Sequence, residues 1–216
     1  MEKIEVCYEV LNGERKKLLP ALTAFKDRFY LAGGTGLALQ IGHRVSEDFD
    51  FFSHVSFDNK GLLKEIKALL TSYKVSVIQD EENTFTVIAD DEVKLSFFKL
   101  EYSNLLPLVP AKEFMIASVE EIGIMKLLAL LRATLKDYVD LYFILQQHKL
   151  SRLMFLAKEK HPEFEDAVYL KSLLSYEDVD HLPITYLPGK EIKTADVFKF
   201  IREKTIKYLE EKDIKL

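Results

Sequence analysis

Apolar positions in the first half of the chain alternate between the spacing of helices and that of strands. Over residues 15–26 and 60–71 they recur every three or four positions, which predicts two helices with one buried face each. Short apolar runs at residues 29–32 and 49–52 are typical of buried strands. The stretch at residues 35–41 predicts a short helix between these two strands.

The middle of the chain predicts an antiparallel meander, because three β-rich segments at residues 74–78, 84–89 and 93–100 are separated by short acidic turns. From residue 118 the pattern becomes helical, and it predicts helices at residues 118–131, 136–148, 151–160, 164–174 and 194–211. We therefore expect an α+β protein. An α/β domain would span residues 1–112, and a helical sub-domain would span residues 113–216.

Composition limits the class of protein further. The chain has 216 residues and a net charge of −5, which argues against broad electrostatic wrapping of duplex DNA. Its apolar runs are too short to span a bilayer, and no secretory signal is visible at the N-terminus. The single cysteine, Cys7, cannot form an intramolecular disulfide. We expect a cytoplasmic protein with no membrane contact.

The most informative segment joins a glycine pair to two aspartates. Gly33 and Gly34 follow the first apolar strand and open a short helix, where phosphate groups commonly bind. Asp48 and Asp50 are one residue apart in the next strand, so both project from one face. Since adjacent carboxylates repel each other, a divalent cation would stabilise both in the ionised form. The segment indicates phosphoryl or nucleotidyl transfer that depends on Mg²⁺ (or Mn²⁺).

A simpler interpretation of the same acids stays open. They could lie on a solvated edge strand and pair with Arg44 or with a lysine. His43 and His54 flank the aspartates, but no further nitrogen or sulfur ligands follow at the spacing that zinc requires. The sequence therefore does not predict a zinc site.

The order of strand, glycine pair, short helix and Asp-x-Asp strand is similar to that of the nucleotidyltransferase superfamily that includes DNA polymerase β. Within it, Gly-Gly-Thr followed by His-Arg-x-Ser-x-Asp-Phe-Asp-Phe-Phe resembles the AbiEii/AbiGii-type toxin family. The residues that carry this match are His43, Arg44, Ser46, Asp48 and Asp50. The resemblance covers about residues 29–176 and implies a mixed sheet flanked by helices, with the helical sub-domain closing a cleft.

A second block in the predicted helices resembles the helical motif of the same family. It comprises Lys126 and Arg132, followed by Asp137 and Asp140. The resemblance implies that the two basic residues bind nucleotide phosphates, and that the aspartates orient them or tie the sub-domains together. From the residues alone, the simpler interpretation is that Lys126 extends along its apolar helix and pairs with Asp137 or Asp140.

The activity implied by the resemblance is transfer of a nucleoside monophosphate from an NTP to an acceptor. The acceptor would be RNA, such as tRNA, or a protein, and the chain would be the toxin of a pair with a separate antitoxin. Asp48, Asp50 and Lys126 would be catalytic, with the two aspartates holding the metal. The nucleotide would be bound by glycine, hydroxyl and basic residues, which are Gly33, Gly34, Thr35, Arg44, Ser46, Lys126 and Arg132.

One departure from the superfamily pattern supports a different function. Many relatives carry a third carboxylate on a later strand, where this chain has Ser96. Loss of that acid would weaken a second metal site or remove a general base. The alternative is a catalytically weakened nucleotide-binding or interaction module that retains the fold. A metal-dependent phosphohydrolase fits Asp-x-Asp in isolation but does not account for the glycine pair.

Overall fold

A computed structural model describes residues 5–180 and 182–213. The chain divides into two compact units, of which the first runs to Ser118 and the second begins at Val119. This division assigns the strand Met115–Ile116 to the sheet of the first unit, whereas a boundary at residue 112 would separate it from that sheet.

The first unit contains a mixed sheet with the spatial order β3-β4-β5-β2-β1-β7-β6. In chain order the strands are β1 (Tyr30–Leu31), β2 (Phe49–Ser53), β3 (Val75–Glu81), β4 (Thr84–Ala89), β5 (Val93–Lys99), β6 (Val109–Pro110) and β7 (Met115–Ile116). Strands β3, β4 and β5 form the antiparallel meander that the acidic turns predicted. Strand β2 runs parallel to β5 and antiparallel to β1, so it lies near the centre of the sheet.

Three α-helices of the first unit accompany this sheet, namely α1 (Gly13–Leu22), α2 (Gly33–Ile41) and α3 (Asn59–Leu69). Two of them begin at a capping side chain, since Asn12 accepts a hydrogen bond from Arg15 N and Asp58 accepts from Gly61 N. Helix α2 differs, because it begins directly after β1 without a side-chain cap. Its N-cap residue is Ala32, which has no side-chain acceptor for the N–H groups of the first turn.

Alternation along β2 separates an aromatic core from the polar face of the sheet. Phe49 and Phe51 are buried, and Phe51 stacks on Phe97 of β5 with ring centroids 5.2 Å apart. Because successive side chains point to opposite faces, Asp48 and Asp50 project away from this core. The aromatic packing thus fixes which side of the sheet carries the carboxylates.

The second unit is built from five α-helices among the described residues: α4 (Val119–Ala129), α5 (Leu135–Ile144), α6 (Leu150–Lys160), α7 (Asp166–Leu174) and α8 (Thr194–Glu211). Helix α4 packs against α5 and α6, and α8 packs against α5 and α7. No helix within residues 5–180 and 182–213 has the length and apolar content needed to cross a bilayer.

The α+β class and the mixed sheet flanked by helices are therefore as predicted. The prediction missed β6 and β7, which contribute only two residues each to the sheet. Such short strands contain too little alternation to be recognised in a sequence, and one of them includes Pro110.

Candidate active site

Asp50 in β2 and Asp48, which immediately precedes β2, lie next to the start of α2. Asp48 and Asp50 are both half-buried. Ala32, which precedes the glycine pair, donates its N–H to the carbonyl of Asp50 at 3.1 Å. This backbone hydrogen bond ties the end of β1 to the carboxylate-bearing end of β2, so the glycines and the aspartates are brought together as predicted.

Both positions of the glycine pair require glycine, because a charged side chain lies too close to each for a Cβ atom to fit. Gly33 has φ of +61°, and a Cβ atom there would lie 2.7 Å from Oδ2 of Asp50. A Cβ atom on Gly34 would lie 2.6 Å from Nη2 of Arg44. Real Cβ atoms do not tolerate such distances, so any side chain would displace the carboxylate or the guanidinium. The glycine pair therefore lets one acid and one base reach the backbone at the start of α2.

The start of α2 has the properties of an anion site. Its first turn has no side-chain cap, and the positive end of the helix dipole lies there. Arg44 is buried beside Gly34 and donates from Nη1 to the carbonyl of Val45 at 3.0 Å. Backbone N–H groups and a guanidinium held in place are the donors that bind phosphate oxygens in proteins.

The predicted hydroxyl residues brace the backbone of the first aspartate. Thr35 donates its hydroxyl to the carbonyl of Asp48, and its Oγ1 lies 2.7 Å from Oγ of Ser46. Both hydroxyl residues are buried. They lie among the predicted site residues, and in the structure they fix the position of the Asp48 backbone. Their role as phosphate ligands stays a prediction.

Lys94 is a site residue that sequence reasoning missed. Its ammonium lies 2.9 Å from Oδ2 of Asp48, and the two side chains are 40% and 45% exposed. The parallel register pairs Asp50 with Ser96, so a serine lies directly beside the second aspartate. The alternative in which an aspartate pairs with a lysine is therefore present at Asp48. Only the register of β2 against β5 reveals this lysine.

Arg15 is a second residue that the sequence did not single out. It is buried, its Nε donates to the carbonyl of Glu47 at 2.5 Å, and its Nη2 donates to the carbonyl of Glu92 at 3.1 Å. Glu47 immediately precedes Asp48, and Glu92 ends the turn before Lys94. Arg15 thus joins α1 to the two backbone segments that lead into the site.

The second unit gathers the other predicted residues into one cluster. Nζ of Lys126 lies 2.7 Å from Asp137 and 2.6 Å from Asp140, and the three side chains are 8%, 3% and 0% exposed. Arg132 binds Asp137 at 3.0 Å, but its own side chain is 66% exposed. Thr134 donates to Asp137 at 2.6 Å. The pairing of Lys126 with aspartates, which the sequence had left open, is therefore present.

The donor set available for a metal at β2 is small. Across residues 5–180 and 182–213, no group of three or more His, Cys, Asp or Glu side chains could hold a metal ion. Asp48 and Asp50 provide two partly solvated carboxylates on one face, and the Lys94 ammonium shows that a cation is accommodated beside one of them. Such a pair fits Mg²⁺, which prefers oxygen ligands and retains several waters.

The sheet order, the glycine turn that opens α2 and the Asp-x-Asp strand define a nucleotidyltransferase fold. A crystal structure titled as a putative nucleotidyltransferase from H. pylori matches 92% of this chain and 96% of its own, with a TM-score of 0.59 and 20% identity. The antibiotic-resistance factor ANT(2'')-Ia matches 68% of this chain and 90% of its own, with a TM-score of 0.51 and 13% identity.

The chain belongs to the AbiEii nucleotidyltransferase toxin family of type IV toxin–antitoxin systems, whose model matches residues 17–197. The match extends beyond residues 29–176 at both ends and confirms the family that the motifs indicated. A relative is an uncharacterized protein of Aquifex aeolicus (strain VF5). It is 32% identical over an alignment of 193 residues, and the alignment covers 84% of this chain and 88% of that protein.

Proposed function

We propose that the protein is a metal-dependent nucleotidyltransferase that moves an NMP from an NTP to an RNA or protein acceptor. The observation that carries this proposal is the placement of Asp48 and Asp50 beside the uncapped start of α2. A carboxylate pair and an anion site next to each other suit a substrate that combines a metal ion with a triphosphate.

Asp48 and Asp50 would hold Mg²⁺ or Mn²⁺ in this scheme. The bound ion supplies positive charge that neutralises the triphosphate and polarises the reacting α-phosphate. Arg15 donates to the carbonyl of Glu47 and Thr35 donates to the carbonyl of Asp48, so the backbone that carries the first carboxylate is fixed on both sides. Positioning of this kind contributes to catalysis because the reacting groups meet without further reorganisation.

The N–H groups at Gly33 and Gly34, together with the Arg44 guanidinium, would bind the β- and γ-phosphates. They would stabilise the charge that develops on the leaving pyrophosphate. The assignment of Lys126 and Arg132 to nucleotide phosphates comes from the family motif alone and stays a prediction. Of these two, Arg132 is the one whose side chain is largely solvated.

A hydroxyl oxygen of the acceptor forms a bond to the α-phosphorus, and the bond from that phosphorus to the β-phosphate oxygen breaks. Pyrophosphate leaves with the bonding electron pair, and the hydroxyl proton passes to water. The family description as a type IV toxin supports a role in a toxin–antitoxin pair, with a separate antitoxin protein as partner.

The test is incubation of the protein with labelled NTPs, Mg²⁺ and total cellular RNA and protein. We expect label to enter one acceptor class with wild type, and transfer to fall by at least about a hundredfold in Asp48→Asn/Asp50→Asn. Asp91→Asn is the matched control, because Asp91 forms an exposed pair with Lys74 and is not one of the candidate site residues. Equal labelling by wild type and the double variant would overturn this mechanism.

A second candidate function is a nucleotide-binding or interaction module with weakened catalysis. The observation that favours it is Ser96, a neutral residue that the register places beside Asp50. Calorimetry with an NTP and Mg²⁺ separates the possibilities, because a pure interaction module would show no heat of binding. Binding without any label transfer would favour a weakened nucleotide-binding module.

A further inference from the structure

Lys94 is a cation built into the polar face of the sheet. The parallel register pairs Phe49 with Leu95 and Asp50 with Ser96. Extending that register by one residue places Lys94 next to Asp48, and the two charged groups are 2.9 Å apart. Lys94 and Ser96 therefore project from the same face as the two aspartates, one beside each.

The ion pair at Asp48 is one that a stronger cation can replace. Both side chains are partly solvated, and exposed pairs of this kind are weak. A divalent ion carries twice the charge of the ammonium. The lysine has a flexible four-carbon stem, so its ammonium can leave the carboxylate and remain near the site.

The serine beside Asp50 limits what the site can hold. Without bound nucleotide, two carboxylates balance the charge of one divalent ion, and a second ion would need a further anionic oxygen from the protein. The hydroxyl of Ser96 carries no charge and cannot supply it. An ammonium needs no such ligand, and it offers one positive charge and three hydrogen-bond donors to phosphate oxygens.

We propose that Lys94 takes the place of a second metal ion in this enzyme. Asp48 would hold the divalent ion in place of the Lys94 ammonium, and the released ammonium would bind the triphosphate. This inference rests on the proposed function, because it assigns Lys94 to the same site. The protein would use one divalent ion plus one lysine where a third carboxylate would support two ions.

The first half of the inference is tested with Mn²⁺ alone, without nucleotide. Free Mn²⁺ is followed by electron paramagnetic resonance during titration of wild type, Lys94→Met and Lys74→Met. Removal of the competing ammonium should tighten Mn²⁺ binding by about two- to fivefold. Lys74→Met should leave it unchanged, because that lysine pairs with Asp91, which is not part of the site. Equal Mn²⁺ affinity in wild type and Lys94→Met would overturn the competition.

The second half is tested by label transfer at saturating Mn²⁺. We expect Lys94→Met to reduce the rate by about a hundredfold although it binds the metal more tightly, whereas Lys94→Arg retains charge and most of the rate. A purely structural role would not produce opposite changes in metal affinity and rate. An unchanged rate in Lys94→Met would refute the role of the ammonium toward the phosphates.

The stoichiometry of Mn²⁺ provides a separate measurement. We expect one ion per wild-type chain and two per chain in Ser96→Asp, which restores an acid beside Asp50. Two ions in wild type would contradict the replacement of a metal by Lys94. Failure of the proposed function has another signature, since wild type and Asp48→Asn/Asp50→Asn would then label acceptors equally while Lys94→Met still changed Mn²⁺ affinity.

Discussion

Two clusters in this protein contain one lysine and two aspartates each, in very different surroundings. The open cluster comprises Asp48, Asp50 and Lys94 in the first unit, and at least two of its charged groups are in contact with water. The closed cluster comprises Lys126, Asp137 and Asp140 in the second unit, and it is almost fully removed from water. Identical residue types thus serve different ends, because burial decides how strongly each charge depends on its partners.

The comparison separates a cluster suited to exchanging partners from one suited to keeping them. In the closed cluster, loss of one charge leaves another buried without full compensation, which is costly. In the open cluster, water replaces a lost partner at little cost. The proposed metal and nucleotide would therefore enter the open cluster without unfolding its surroundings.

The largest effect on stability should come from Asp140→Ala in the closed cluster. It removes a fully buried partner of Lys126, and we expect a loss of about 3–5 kcal/mol in the free energy of unfolding. Urea unfolding followed by circular dichroism measures this loss. A change below about 1 kcal/mol, as for an exposed pair, would mean that the contrast between the clusters is wrong.

Gly33→Ala should have the next largest effect and acts on the open cluster. The positive φ and the contact with Asp50 Oδ2 together should cost about 1–3 kcal/mol, measured by the same unfolding assay. Gly189→Ala is the matched control, because Gly189 also has a positive φ of +77° but no heavy atom lies within 4 Å of the position that a Cβ atom would occupy. Only Gly33→Ala should also weaken Mn²⁺ binding; equal weakening by both would contradict the role of close approach.

Tyr138, next to Asp137 of the closed cluster, sets a pH dependence. Burial, and then the charge of Asp137, raises the pKa of Tyr138 from about 10 to about 12. The contribution of this shift to the free energy of unfolding is fully present below pH 10 and is lost as the pH rises toward 12. Tyr138→Phe should lower stability at neutral pH by about 1 kcal/mol, because the hydrogen bond to the Ser172 carbonyl is lost.

The measurement for Tyr138→Phe is urea unfolding at pH 8, 10 and 11. Stability of the variant should fall less steeply above pH 10 than that of wild type. Part of the slope should remain, because burial also raises the pKa of Tyr8 and of Tyr176. Identical slopes in the two proteins would contradict a contribution from Tyr138.

The smallest effect on stability is expected for Asp48→Asn. It removes the exposed ion pair with Lys94, and the free energy of unfolding should change by less than about 1 kcal/mol. Label transfer should nevertheless be lost, so the variant separates stability from activity at one position. If the free energy of unfolding fell by several kcal/mol, Asp48 would depend on its partner as strongly as the aspartates of the closed cluster do.

Local patterns in the sequence were sufficient for most elements of the fold. Strand β4 and helix α8 have the predicted bounds of residues 84–89 and 194–211, because apolar periodicity persists along their whole length. The glycine pair and the aspartates could also be found, since they lie within 18 residues of one another in a single motif. Each feature of this kind depends on residues close together in the chain.

The features that were missed depend on pairing between distant segments. Lys94 meets Asp48 only because β2 lies parallel to β5, and no local pattern gives that register. Arg15 appears in the sequence as part of an amphipathic helix, and its hydrogen bonds to Glu47 and Glu92 depend on tertiary packing. The pairing of Lys126 with Asp137 or Asp140 was an alternative that the sequence left open, and helix packing buries Lys126 against both.

The parallel pairing of β2 with β5 also has a consequence for the order of events during synthesis. The two strands begin at residues 49 and 93, so the intervening chain must be made before they can pair. Forming such non-local contacts is slow relative to helices and hairpins. While β5 is still inside the ribosome, the emerged part of the chain contains Asp48 and Asp50 but not Lys94. The two aspartates therefore leave the ribosome before the lysine that neutralises one of them.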